Sequence, residues 1–390
     1  MKLFFEPSDF LFFRDGKPFS GGEVSFGSSM ELPLPSVVYG AIRTRLLQDA
    51  QVDFTRFAKY KSSEEGAKDY PIIQLTGTSN TPGSLYIGGP YFASLRKDGK
   101  KLKEIFFPVP LDVVKQHSKD KRYNLLEPDF ESSGQTNFPL PDLAPLRPKP
   151  RLELKSKMEE ATGFLNLERM QNYLDGSSPV EVSSKNFVQS EQRIGIAIGS
   201  NYVTKSQMFY LLEGKRFANS LEESYGLVID LPNVSEANTT LTESFFHLGG
   251  ERRFGRIVPI ESKTVPDAPE PETLSPYFKL VLATPAIFKK GWLPSWLDSQ
   301  SGEGNLPTKG EGNLRVKLVA AAVGRGITLS GFDMAKRQPK PTRRAVPAGS
   351  VYYFELLEGQ PEKLIELVHN SSISDEEAQA GFGIAFVGCR

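Results

Sequence analysis

The sequence predicts an α+β protein of two domains with the same order of elements, the first interrupted by a long insertion. Three observations lead there. Short strand-like apolar runs alternate with a few helical ones. Each half of the chain closes on a helix, a glycine turn and a strand, although no letter-by-letter repeat accompanies that shared order. Between the halves, Pro266 to Pro276 with Asp267, Glu270 and Glu272 makes a connector rich in proline and acid. The 390 residues suffice for two ordinary domains, and 34 glycines and 29 prolines predict many turns around modest regular structure.

Taken in order, Lys2 to Phe13 is an aromatic-rich strand region ending at Arg14-Asp15-Gly16, a turn in which glycine supplies positive φ. Ser20 to Ser29 is a Gly/Ser-rich loop. Pro33 and Pro35 hold the chain extended, Ser36 suits an N-cap, and Val38, Ala41, Ile42 and Leu46 recur at helical spacing, so a helix is predicted over about 36–48. Tyr70 to Leu75, Leu85 to Ile87 and Ile105 to Val109 read as short strands. The polar and then Pro-rich stretch from Lys115 to Pro150 reads as insertion, and an insertion of that length usually carries a contact.

Met208 to Leu212 and Leu227 to Leu231 are predicted strands joined by a loop with Gly214-Lys215-Arg216. A helix is predicted to end with Glu243, Phe245, Phe246 and Leu248, to stop at Gly249-Gly250, and to be followed by a strand over Ile257 to Ile260. The second half repeats the grammar: a strand over Tyr277 to Ala283, a short helix holding Trp292 and Trp296, and strands over Leu314 to Val323 and Val351 to Leu356. A helix over Pro361 to His369, a second short helix near Glu376 to Ala380 and a terminal strand complete it. A βαββαβ order packs two helices on one face of a four-stranded antiparallel sheet, the ferredoxin-like (RRM-like) arrangement, which hosts many functions.

Composition excludes several classes. Lys+Arg and Asp+Glu balance at 47 each, so bulk charge predicts no polyanion partner and any nucleic-acid surface must come from local segregation of charge. The single cysteine, Cys389, excludes an intrachain disulfide and a thiolate cluster within one chain, and suits a reducing cytoplasm. Glu6, Pro7 and Asp9 interrupt the apolar N-terminus, which reads as a buried strand and not as a signal peptide, and no apolar run is long enough to span a membrane.

The densest basic segment is Lys336-Arg337-Gln338-Pro339-Lys340-Pro341-Thr342-Arg343-Arg344, which holds no acid and is kept extended by its prolines. Its natural partner is a phosphodiester backbone, with a solvated loop or a protein contact as the alternatives. Glu251-Arg252-Arg253-Phe254-Gly255-Arg256 sets arginines beside glycines. Gly249 is either a helix C-cap or part of a turn whose backbone N–H groups approach phosphate. Phe332, Trp292 and Tyr39 are either core residues or stacking surfaces for unpaired bases. Scattered basic residues from Lys97 to Lys157 are either a solvated face or part of a contact.

For catalysis the inventory is thin. Of three histidines, His117 lies in a charged loop, His369 at a helix end, and His247 beside the Gly249-Gly250 turn. Asp15 and Glu23 flank one loop, which is a weak metal signal. No phosphate loop of Walker type, no G-x-S-x-G and no H-E-x-x-H occurs. The sequence therefore assigns no catalytic residue, no metal site and no cofactor.

Five stretches together resemble a known family: Phe12 to Phe19 (FFRDGKPF), Leu34 to Arg43 (LPSVVYGAIR), Gly249 to Gly255 (GGERRFG), Arg343 to Phe354 (RRAVPAGSVYYF) and the terminal Gly381-Phe382-Gly383. They resemble the RAMP proteins of CRISPR systems, and more narrowly the family of the third subunit of the type III-B (Cmr) effector complex. The resemblance spans both ends and the middle and leaves residues 50–200 poorly covered. It implies two ferredoxin-like domains, 1–265 with an insertion at about 90–190, and 266–390, with glycine-rich loops at a cleft.

It also implies a non-catalytic subunit that holds the 5′ handle of the CRISPR RNA, contacts the large polymerase-like subunit and the backbone RAMP subunits, and carries, somewhere within residues 90–190, a hairpin thumb that kinks the guide. RNA contact is carried over to Arg14, Lys17, Ser36, Arg43, Arg252, Arg253 and Arg256, and to Lys336, Arg337, Lys340, Arg343 and Arg344 of the basic loop. The alternative is a RAMP-fold endoribonuclease using His247 without metal or Asp15 with one, and a more remote one is a pure protein scaffold.

Overall fold

A computed structural model describes residues 1–14, 26–97, 101–116, 122–131, 138–140, 142–148, 157–177, 181–183, 186–199, 203–235, 241–274, 276–308, 313–333 and 338–390. The fold is α+β, rich in strands and poor in helices. Two compact units interleave along the chain: Met1–Lys103, Asn186–Ser262 and Thr328–Arg343 form one, and Glu104–Lys185, Lys263–Ile327 and Arg344–Arg390 form the other. This partition differs from a linear split at 265/266 with an insertion into the first domain. Backbone bonds explain why: Leu111 N donates to Gly349 O and Ala144 N to Val319 O, which knits much of the expected insertion into the C-terminal half.

In the first unit, strands Ser244–His247, Phe254–Pro259, Lys2–Pro7, Glu223–Asp230 and Gly88–Arg96 lie side by side in that order, all antiparallel. Leu3, Phe4 and Phe5 are all fully buried, as a strand covered on both faces requires. Helix Pro35–Asp49 buries Val38, Ile42 and Leu46 at the spacing of one helical face. Ser36 is not its N-cap. Leu34 takes that place with no side-chain bond, and Pro35, whose missing N–H costs nothing there, sets Ser36 in the first turn.

Two further expectations are corrected here. Ile72–Thr76 is a helix, ended by Gly77 at φ 71°, and not a strand. Ile73 joins Leu47, Val52, Phe57 and Tyr60 in a small helical cluster, which uses one helical face and leaves no alternation for a sheet. Residues Ser244–His247 are a strand and not the end of a helix, because only alternate residues are buried: Phe246 faces inward while Phe245 and His247 face solvent.

A long ribbon of the same unit pairs Val188–Ile198 with Thr204–Phe217, in the register Ile194↔Leu211 and Ile196↔Phe209. Phe26–Ser28 adds to it in parallel. Gly214, Lys215 and Arg216, expected in a loop, lie inside this strand, and Lys215 exchanges two backbone bonds with Leu11 at 2.7 and 2.8 Å.

The second unit has a sheet in the order Glu303–Asn305, Arg315–Ala322, Val351–Glu358, Tyr277–Leu282, Ile384–Cys389 and Ser371–Ser372. Helix Pro361–Val368 buries Leu364 and Val368 in its core. A smaller sheet runs Leu146–Pro148, Arg122–Pro128, Val113–Gln116 and Met158–Glu160. The Trp292–Trp296 stretch is a run of bridged turns (Phe288↔Gly291, Lys290↔Leu293) and not a helix, and Ala378–Ala380 forms a single 3₁₀ turn. Among the described residues no helix is long and apolar enough to cross a membrane.

Candidate nucleic-acid interface

The expected RNA-contact residues of the first unit fall at two places. The first surrounds Asp9, immediately beyond strand Lys2–Pro7. Its carboxylate accepts from Arg253 Nη1 at 2.9 Å, from Arg216 Nη2 at 2.6 Å and from Arg193 Nη2 at 3.2 Å. The guanidinium carbons of Arg253 and Arg193 lie 3.9 and 4.5 Å from the Phe10 ring centre, so both arginines also make cation–π contacts with a fully buried ring. Glu191 completes the knot, pairing with Arg193 at 2.7 Å and with Arg216 Nε. The neighbouring guanidinium of Arg216 holds the Glu191 carboxyl below its usual value. Arg253 is therefore part of the internal lock that fixes the ribbon's base to the glycine turn.

Arg256 is likewise committed, to Glu6 at 2.9 Å and Glu243 at 3.1 Å. Of the arginines in this turn, Arg252 differs: it is exposed and held at φ 54°, beside Glu251 at φ 57° and Gly249 at φ 87°. The bond from Gly250 N to Phe12 O at 2.8 Å ties the turn to the N-terminal segment. The turn directs Arg253 inward onto Asp9 and leaves its sequence neighbour Arg252 facing outward.

The second place is helix Pro35–Asp49. Arg43 donates from Nη2 to Thr78 O and lies 5.5 Å from the Phe57 ring centre. Burial pulls its pKa below the ordinary arginine value, with Tyr39 and Asp333 opposing. Asp333 belongs to a small exposed hairpin in which Phe332 pairs with Pro339 and Asp333 with Gln338, so the base of the basic loop comes near Arg43. Lys340 is exposed on this hairpin and its N–H donates to Gly331 O at 2.8 Å. Arg343 is half-buried, and Arg344, exposed, belongs to the second unit. Lys17, Lys336 and Arg337 lie outside the described residues, as do Asp15 and Glu23.

Arg14 is exposed and bridges to Ser29, while Ser29 Oγ accepts the Phe13 N–H at 2.8 Å. Ser36 is half-buried in the first helical turn. Several basic residues of the expected insertion meet local partners: Lys97 Nζ reaches Ser220 O at 2.6 Å, Lys103 pairs with Glu223, and Arg147 with Asp129 at 3.2 Å. Of the aromatic candidates, Trp292 packs against the second unit's core, Tyr39 is half-buried beside Arg43, and Phe332 stands 53% exposed.

The residues that sequence reasoning missed are those of the ribbon. Ile194 is 68% exposed, and Ile196, Ile198, Val203, Phe209 and Phe26 are exposed with it. Ile194, Ile196 and Ile198 share one face, and the register sets Phe209 beside them. The run Ile194-Gly195-Ile196-Ala197-Ile198 has no polar alternation, so by pattern it reads as a buried strand. Asp9, Phe10, Arg193 and Glu191 are spread too widely along the chain for spacing to connect them.

Two histidines are described near candidate chemistry. His247 is exposed, with Nδ1 3.3 Å from Arg253 O. His369 is packed inside the second unit, between Pro266 O at 3.0 Å and the Val387 N–H at 3.2 Å. Among the described residues no group of three or more His, Cys, Asp or Glu side chains converges to hold a metal ion.

No curated relative matches the chain. Among the solved structures similar to it are two of one complex. One is the cryo-EM structure of the type III-B Cmr-beta bound to cognate target RNA and AMPPnP (state 1), at 16% identity over 90% of this chain and 86% of that one, with a TM-score of 0.49. The other is the type III-B Cmr-beta bound to cognate target RNA, at 15% identity over 90% and 86%, with a TM-score of 0.46. The family match is of another order, because it runs through both units and every motif stretch quoted above: over residues 3–389 the chain belongs to the CRISPR-associated protein family Cas_Cmr3.

Proposed function

We propose that the chain is a non-catalytic, RNA-binding subunit of a type III-B CRISPR effector ribonucleoprotein, acting in the cytoplasm in antiviral defence. In this reading it seats the 5′ handle of the CRISPR RNA and joins the large polymerase-like subunit to the backbone RAMP subunits. The observation that carries the reading is family membership over residues 3–389. The strand order supports ferredoxin-like cores. Numbered in chain order, the four central strands of the first unit lie 4-1-3-2 and those of the second 2-3-1-4, the order that two interlocked β-α-β connections produce. Among the described residues one helix lies in a crossover of each core, Pro35–Asp49 in the first and Pro361–Val368 in the second, where the ferredoxin-like arrangement calls for two.

The Val188–Phe217 ribbon supports the same reading. A large exposed aliphatic face marks a contact surface, and a long two-stranded ribbon is the form a guide-kinking thumb takes, here beginning where the expected insertion at 90–190 ends. The exposed Arg252, Lys340 and Arg344 supply charges for phosphates. The competing reading, an endoribonuclease, draws on His247, exposed beside the Gly249-Gly250 turn.

Assembled complex containing this chain, incubated with labelled repeat RNA with and without Mg²⁺, separates the two. RNA left uncut by the wild type, and equally by Asp15→Ala and His247→Ala, supports the structural subunit. Site-specific cleavage abolished by either substitution overturns it.

A further inference from the structure

At the edge of the first unit's sheet, Phe245 and Phe254 stand 60% and 46% exposed. The register explains how they share a face. Phe245 and His247 are two residues apart on the edge strand, and His247 lies opposite Phe254 while Phe245 lies opposite Arg256. The Phe245 and Phe254 rings meet edge-to-face at 6.1 Å and 73°, and His247 meets Phe254 at 6.3 Å and 80°. On the opposite face of the same strand, Phe246 is buried against Phe5 at 5.1 Å. The inner ring anchors the strand and the outer rings are presented on it.

We infer that Phe245, His247 and Phe254 form a stacking platform for an unpaired RNA base. The inference rests on the RNA-binding reading and adds to it a site and a mode of contact. Three features select the occupant. The exposed rings here are aromatic, with the ion-paired Arg256 beside them on the same face, whereas the exposed face of the ribbon is mainly aliphatic, and aromatic rings offer a nucleobase a π-face that aliphatic chains lack. Arg252, exposed two residues before Phe254 in the chain, is a cation left over for a phosphate, while Glu6 and Glu243 occupy Arg256. The alternative occupant of a sheet edge, an added peptide strand, needs the edge carbonyls, and Arg45 Nη1 already takes Phe245 O at 2.9 Å.

The test uses the full chain within its assembled complex and an oligoadenylate of about 12 nucleotides with 2-aminopurine at single positions, a length within the span of single-strand-binding surfaces. Wild type is expected to quench the fluorescence at one position. Phe245→Leu and Phe254→Leu, which keep apolar bulk but remove the π-face, are expected to abolish that quenching and weaken binding roughly 5- to 100-fold at any salt concentration. Phe245→Tyr is expected to preserve both. If wild type binds and both leucine variants bind and quench equally well, the platform is overturned while the RNA-binding reading stands. If wild type does not bind RNA, both fall. If the leucine variants shed a protein neighbour and retain RNA, the surface is a protein interface and the platform is overturned. Unchanged melting midpoints show that the leucine variants are folded.

Discussion

In the second unit, Lys279 Nζ lies 3.9 Å from Asp112 Oδ2 with both side chains fully buried. The pair is not isolated. Tyr173 OH donates to Asp112 at 2.7 Å, Tyr353 OH donates to it at 2.6 Å, and the Lys279 ammonium lies 3.6 Å from the Tyr173 ring centre. Tyr353 comes from the C-terminal sheet, whereas Asp112 and Tyr173 come from the stretch expected to be an insertion, so one carboxylate clamps distant segments together. Burial drives the Asp112 pKa up and the Lys279 pKa down.

Removing one partner of that pair is expected to cost about 3–5 kcal/mol, because it strands a buried charge or donors. Asp112→Asn and Lys279→Met should each lower the urea midpoint sharply, and the double variant Asp112→Asn/Lys279→Met should recover a large part of the loss. A double variant as damaged as the sum of the singles would show that the two residues act independently.

His369 predicts a pH dependence. Its Nδ1 accepts the Val387 N–H, which leaves Nε2–H to donate to Pro266 O, so the packed ring is neutral. Burial lowers its folded-state pKa below the ordinary 6.5. A depressed value means that stability is fully present above 6.5 and lost as pH falls through the folded value. Urea midpoints at about pH 5 and about pH 8 should differ in the wild type and converge in His369→Gln.

Arg252 and Arg253 are adjacent and should behave oppositely. Arg253→Ala removes a partly exposed bond to Asp9 and a ring contact with Phe10, and is expected to cost about 1–2 kcal/mol of stability. Arg252→Ala should leave the melting midpoint unchanged, weaken RNA binding, and reduce the slope of log affinity against log salt by about 0.7 to 0.9. A melting scan and a salt titration on both variants decide it.

Gly249→Ala is expected to destabilise the first unit by about 1–3 kcal/mol. The residue sits at φ 87°, and a Cβ there would lie 2.8 Å from Phe12 O and 3.1 Å from Phe13 Cε1. Denaturation of the variant checks this, and a neutral outcome would mean that the turn can relax away from Phe12.

The ribbon gives the converse case. Ile194→Thr and Ile196→Thr keep β-branching on exposed positions, so stability should stay within about 0.5 kcal/mol of the wild type. Recovery of the complex by co-purification should fall, and unchanged recovery would remove the ribbon from the contact surface.

The sequence by itself determined the α+β class, the Pro35–Asp49 and Pro361–Val368 helices, the central strands other than Gly88–Arg96, for which it offered Leu85 to Ile87 instead, and the family, because apolar periodicity and short motifs are local properties. It read Glu243 to Leu248 as the end of a helix where the chain forms a strand, since Phe245 and Phe246 side by side fit either period and only pairing with Phe254–Pro259 selects alternation. Nor did it separate Arg252 from Arg253. That depended on Asp9 and Phe10, nearly 250 positions away in the chain, meeting one guanidinium and excluding the other. The burial of Asp112 beside Lys279 was equally invisible, as both look like surface charges until Tyr173 and Tyr353 close over them. Local pattern sets which elements form. Which charges are used up inside the fold, and which are left facing outward, is decided by contacts between segments far apart in sequence, whose geometry exists only once the sheets have assembled.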